Sequence, residues 1–315
     1  MHIVQKLLAG TWSNEGVGRK DGTPYSYNVM PLPQKDAEPL YPGRHRGYIL
    51  KNFRYTEEIS FHAGKNTPKG SDIVAIPAAA PNRGFNNRQV PEAIFYDQIV
   101  KFAEGPATGK EVHIENGAWL YLPYHKVVNG PYPNEGALLP QPEGTPNYAK
   151  QISVPHGNSI LALGEYRGLF EGSPVIPQGS GLPTEIDVTR FRTKLDSAAD
   201  YENPHLPETE DPIMPLRDAI NALRPTAYHH VTFSTRTSSR GLTGVESNIP
   251  FEERMASASD YEAQYWIFST DKGCKHFDYI AYFQNITLKI RIGDVDVLFP
   301  HVTSNVIKRK KLSIK

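Results

Sequence analysis

Apolar and polar residues alternate with a period of two along most of the chain, as in strands with one dry face and one wet face. Over 53–61, Phe53, Tyr55, Ile59 and Phe61 fall on one side, with Arg54, Thr56, Glu58 and Ser60 between them. Ile94, Tyr96, Val100 and Phe102 repeat the habit, and Val112 and Ile114 face away from His113 and Glu115. Further strand patterns cover 148–154, 159–166, 185–191, 229–236, 261–269, 276–292 and 295–307, with Ile292-Gly293-Asp294 marking one return.

The pattern predicts an all-β chain of about ten strands. Long antiparallel strands with one dry face must pack as a sandwich or close on themselves, and closure removes both sheet edges. We therefore expect a closed antiparallel barrel. Helices do not alternate with the strands and no G-x-G-x-x-G occurs, which argues against a Rossmann arrangement. One short helix is expected near 213–224: Pro215 suits a first turn, Leu216, Ala219, Ile220 and Leu223 form a stripe, and Pro225 stops the run. It should cover the barrel. Proline-rich insertions at about 65–91, 123–146 and 172–228, the last including that helix, make residues 1–315 one elaborated domain.

Composition narrows the function. The 34 basic and 34 acidic residues balance, so the chain has no general attraction to nucleic acid or anionic lipid. The basic run Lys308-Arg309-Lys310-Lys311 reads as a solvated terminus. Cys274 is the only cysteine, which excludes an intrachain disulfide framework and every multi-cysteine metal site. No window approaches a membrane-spanning helix, and the first residues do not read as an export signal, so we expect a soluble, cytoplasmic protein. Self-association is left open.

Three stretches combine aromatic, glycine and histidine residues. Gly10-Thr11-Trp12 is followed by Glu15-Gly16 and Gly18, where Gly10 permits a sharp entry and Trp12 can plug a barrel end. His113 and Glu115 share a strand face, joined by Trp119 if Gly117 makes no bulge. His301 shares its parity with Val297, Phe299 and Thr303, beside a Pro300 expected to force a bulge.

In this order the three stretches resemble the nitrobindin-like haem proteins, within the lipocalin-like calycins. The likeness rests on the G-x-W and glycine run, the His113–Trp119 strand and the histidine-bearing basic finish, Pro300 to Arg309. It implies haem b held in the barrel, with His301 as the iron ligand and Trp12, His113, Trp119 and Phe299 lining the cofactor. It also implies nitric oxide binding or conversion of peroxynitrite to nitrate. Leu120 stands where the family commonly has arginine, which removes a pocket charge.

Other readings compete. The pocket could hold another hydrophobic small molecule without turnover, or be a haem-free site acting on an organic substrate. His229 and His230 should point to opposite faces, His156 sits in a turn, and His62 ends a strand. No H-E-x-x-H or G-x-S-x-G occurs, and Cys274 with His276 two positions on is a weak nucleophile pair. Glu57 and Glu58 should face opposite sides of their strand.

Overall fold

A computed structural model describes residues 2–34, 47–62, 93–122, 145–154, 157–184, 193–195, 207–238, 241–249, 256–292 and 295–310. The elements in chain order are α1 (Ile3–Leu8), β1 (Gly10–Ser13), β2 (Tyr27–Gln34), β3 (Gly47–Phe53), β4 (Tyr55–His62), β5 (Ala93–Phe102) and β6 (Glu111–Tyr121). Then follow β7 (Tyr148–Val154), β8 (Asn158–Glu171), β9 (Thr193–Leu195), α2 (Pro207–Glu210), α3 (Met214–Leu223) and β10 (Ala227–Ser234). The chain ends with β11 (Val245–Asn248), β12 (Ser257–Ser269), β13 (Tyr279–Ile292) and β14 (Val295–Arg309).

Ten antiparallel strands close a barrel in the order β1, β4, β5, β6, β7, β8, β10, β12, β13, β14, and β14 pairs back to β1. Trp12 lies opposite Arg309 and Ser13 opposite Lys308 at that seam. β2 and β3 extend from β14, β9 joins β3 in parallel, and β11 pairs with β8. The expected closed all-β barrel is therefore the fold. The expected strand at 185–191, the turn at Gly293-Asp294, His156 and two of the insertions (65–91 and most of 123–146) lie outside the described residues.

The inner rows form one core. Ile59, Phe61, Ile94, Tyr96, Trp119, Tyr148, Ile152 and Ile160 meet Phe233, Tyr265, Ile280 and Ile307 there. The outer wall of β12, β13 and β14 is apolar too, and α3 covers it: Leu216, Ala219 and Ile220 pack against Trp266, Phe268, Ala281, Phe283 and Val306. Arg224 ends α3 in a left-handed conformation before Pro225, as the stop signal requires.

Three features depart from the sequence reading. α1, too short to show a periodic stripe, plugs one end of the barrel with Val4 and Leu8 in the inner core. Trp12 does seal this end, donating from Nε1 to Leu8 O at 2.7 Å. The basic finish is not simply solvated. Arg309 lies 4.1 Å over the Trp12 ring and donates to the carbonyls of Leu7 and Ala9, while Lys310 pairs with Glu58. Pro300 makes no bulge: the β13–β14 register runs unbroken past Thr287 opposite Pro300. Pairing of β14 to β2 covers only Val302 to Ser304, so the missing N–H of Pro300 falls on an edge without a ladder.

Candidate functional site

The barrel is plugged at the α1 end and filled through its middle by a layer of polar side chains. Six of them, Glu57, Gln98, Glu115, Lys150, Gln284 and Asn305, come from inward rows that are otherwise apolar, and each is buried. Two centres result.

Around Lys150, Nζ donates to Tyr265 Oη at 2.7 Å, Tyr261 Oη at 3.0 Å and Gln284 Oε1 at 3.2 Å, and lies 3.8 Å from Glu115 Oε1. Tyr96 Oη donates to the same Glu115 oxygen at 2.6 Å. Burial alone would raise the Glu115 pKa, but Lys150, then His113 and Tyr96, outweigh it and hold this carboxyl at about 2. Around Glu57, Tyr282 Oη and Asn305 Nδ2 each donate to Oε2 at 2.6 Å, and Gln98 Nε2 donates to Oε1 at 2.7 Å. Burial dominates here, and the Glu57 pKa lies above the ordinary carboxyl value despite these three donors.

Between the centres remains a cavity of about 10 Å³, lined by Glu57, Gln98, Lys150, Tyr265, Tyr282 and Gln284 among others. A single water needs roughly 10–15 Å³ measured this way, so the middle of the barrel has room for about one.

The end away from α1 carries His113 and His301. His113 Nε2 lies 3.5 Å from Glu115 Oε2, and its side chain is 29% exposed. No register shift occurs at Gly117, so His113, Glu115 and Trp119 do share the inward face. His301 is half-buried and lies opposite Ile286, two residues beyond Thr303, itself opposite Gln284. Gln284 and Glu115 both meet Lys150, so each imidazole stands one inward step beyond the polar layer, toward the same rim.

No family model matches the chain, and no curated protein matches it. Among solved structures it is similar to the crystal structure of Rv2717c from M. tuberculosis, at 14% identity and a TM-score of 0.40, over 98% of this chain and 96% of that one. A likeness at that score tells nothing of ligand or reaction.

The cavity beside Lys150 is far too small for a haem. Small-molecule sites occupy roughly 300–1,000 Å³, against the single-water space beside Lys150. Trp12 is packed at the plugged end, and Trp119 stacks edge-on against Phe61, Phe233 and Tyr265. Phe299 belongs to another cluster with Tyr27, Val29, Leu50 and Val297. Trp12 and Trp119 stand toward the α1 end, whereas Phe299 shares the strand face of His301 two residues away, and His301 lines neither the inner cavity nor the surface groove beside β13. His113, Phe299 and His301 are brought toward the end away from α1.

His229 meets Tyr166 Oη at 2.8 Å on the inner side, and His230 stacks on Trp266 on the outer side. Glu58 is exposed whereas Glu57 is buried, as alternation requires. His62 pairs with Asp97 at 3.0 Å on the surface. Cys274 Sγ lies 3.7 Å from Thr226 Oγ1, and His276 gives its backbone N–H to Asp271. Among the described residues no group of three His, Cys, Asp or Glu side chains could hold a metal ion. Among the described residues no helix is long and apolar enough to cross a membrane.

Lys150, Tyr282, Gln98, Gln284 and Asn305 were not singled out from the sequence, and Glu57 was read there only as half of a pair split between two strand faces. Their signal was a gap in an apolar row. Glu57 interrupts Tyr55, Ile59 and Phe61, Gln98 interrupts Tyr96 and Val100, and Lys150 sits between Tyr148 and Ile152.

Proposed function

We propose that this chain is a small-molecule-binding barrel that takes its ligand at the rim carrying His113 and His301. The observation that carries the reading is that α1 and the polar layer fill the rest of the interior, while two inward-facing imidazoles stand partly exposed at the other end. A buried Lys150–Glu115 pair is a poor choice for stability alone, since packed apolar side chains of similar volume often serve as well. Its position beneath His113 supports a role in setting the rim: Glu115, held ionised, can accept from His113 and fix the orientation of its ring. A haem-free enzyme would use His113 as its base and Glu115 as the group that orients it.

The haem version, with nitric oxide or peroxynitrite as the small ligand, keeps one support, the inward parity of His301. It places the porphyrin at the rim, outside the filled interior.

The test titrates haemin, and separately the apolar fluorophore anilinonaphthalene sulfonate, into the wild-type chain, His113→Ala and His301→Ala. We expect saturable one-to-one binding of at least one probe, weakened by a rim substitution. A Soret band lost in His301→Ala selects the haem version; fluorophore binding without a Soret band selects the haem-free binder. Saturable binding of neither probe, or binding untouched by both substitutions, overturns the rim site.

A further inference from the structure

The outward face of β13 changes character along its length. Ala281 and Phe283 lie under α3, but the next outward residues are Asn285 and Thr287. Where α3 no longer covers the wall, a surface groove of about 830 Å³ opens. This is within the roughly 300–1,000 Å³ of small-molecule sites. Its walls carry hydroxyls from Thr237, Ser259 and Thr287, with an apolar patch from Leu298 and Pro300.

Two observations point to a ligand here. Asn285 Oδ1 is buried against the groove and has no hydrogen-bond donor among the described residues. A buried acceptor without a donor is costly, and native structures rarely keep one that nothing satisfies. The second is the charge balance. Arg236 is ion-paired with Asp260, whose other oxygen faces Thr235 Oγ1 at 3.3 Å. The guanidinium is thus matched internally, and the other charged side chain of the groove among the described residues, Glu246, is acidic, so no surplus cation there awaits a phosphate or carboxylate. What it offers is hydroxyl donors and acceptors, an amide oxygen, the two carboxylates of Asp260 and Glu246 and a small apolar patch.

We propose that this groove binds a neutral carbohydrate of one or two rings. With the Asn285 side chain turned into the groove a sugar hydroxyl would donate to its Oδ1, neighbouring hydroxyls would donate to Glu246 and exchange hydrogen bonds with Thr237, Ser259 and Thr287, and the C–H face of a ring would lie on Leu298 and Pro300. The site is on the outer wall and is independent of the rim that carries His113 and His301.

The test follows amide chemical shifts of the full chain with glucose, galactose, mannose, N-acetylglucosamine, maltose and cellobiose. At least one sugar should give saturable shifts at Ser259, Asn285 and Thr287. Asn285→Leu should weaken that binding about tenfold or more, as expected when a buried polar partner is lost. The same substitution should leave the melting temperature unchanged or raise it, because it removes an unsatisfied oxygen. Thr287→Val is the second variant, exposed enough to fold normally and expected to weaken the same sugar. Absence of shifts with all six sugars at about 10 mM, ten times a millimolar Kd, overturns the proposal. So does binding that survives both substitutions unchanged.

Discussion

Lys150 Nζ stands 3.8 Å from Glu115 Oε1 in the centre of the barrel, with side-chain exposures of 3% and 2%. The pair is held from every side by Tyr96, Tyr261, Tyr265 and Gln284, so neither charge is left to water. Glu57, lining the same small cavity, receives its hydrogen bonds among the described residues from the neutral side chains of Gln98, Tyr282 and Asn305, and its carboxyl resists ionisation instead. One layer thus contains a carboxylate fixed in its charged form and another inclined to keep its proton.

Lys150→Met should be strongly destabilising because it strands an ionised Glu115 in the core. Removing one partner of a buried pair costs about 3–5 kcal/mol. The double variant Lys150→Met with Glu115→Gln should recover much of that loss, since no bare charge remains. Urea unfolding of the two single variants and the double variant measures the coupling. Equal losses in Lys150→Met and the double variant would show that packing, not charge, sets the cost.

The two carboxyls should impose opposite pH dependences. The Glu115 pKa in the fold, about 2, lies below its ordinary 4.5. Its stabilising contribution is therefore present above pH 4.5 and is lost as pH falls toward 2. The Glu57 pKa is raised above 4.5, so its contribution is present below that value and is lost as pH rises through the raised pKa. Glu57→Gln should consequently gain on the wild type as pH increases above 4.5, whereas Glu115→Gln should be least costly in acid. Unfolding free energies at a series of pH values give both slopes, and parallel slopes would contradict the assignment.

Acid should loosen the plugged end before the rest of the barrel. Burial, and then the charge of His2, lower the His229 pKa from 6.5 to about 4. A lowered histidine pKa means the unfolded chain binds the proton more readily, so stability falls as pH drops from 6.5 toward 4. His2 and Tyr166 pack against each other at this end, and Tyr166 bonds His229. Hydrogen exchange of the α1 amides should therefore quicken over that window, and less so in His229→Phe.

Arg309 should prove a clamp for α1. Its guanidinium bonds the carbonyls of Leu7 and Ala9 and covers the Trp12 ring. Arg309→Ala should cost about 2 kcal/mol, the scale of charge-assisted hydrogen bonds with a cation–π contact. Trp12 fluorescence should then become accessible to a neutral quencher. Unchanged quenching would leave α1 seated by its apolar face alone.

Gly117→Ala should be worse than any surface change. A β-carbon there would sit 2.0 Å from Gln151 O and 2.8 Å from the Tyr96 ring, so backbone would have to move. We expect a loss of about 3 kcal/mol or more, read by thermal melting, together with a disturbed Tyr96–Glu115 bond. A near-wild-type melt would mean that β6 and β7 can part at that point without cost.

The chain itself determined the ring of alternating strands, the split of Glu57 from Glu58, and the stripe by which α3 covers the wall. These follow from a period of two or 3.6 within one segment, and a segment carries its own period wherever it ends up. The inward polar residues were equally visible as interruptions in those rows, yet their meaning was not. Whether Glu57, Gln98 and Lys150 face water, a ligand or one another depends on which strands become neighbours and in what register. Only closure of β14 onto β1, and the pairing of β13 with β14, bring Gln284 and Asn305 to them. The prolines of β2 hid its alternation, and α1 was too short to declare a face until Val4 and Leu8 met the barrel end. His301 shows the same division: its parity was readable from Val297 and Phe299, but the filling of the space beneath the rim was decided by side chains from six other strands, because volume is a property of the packed interior and not of any one of them.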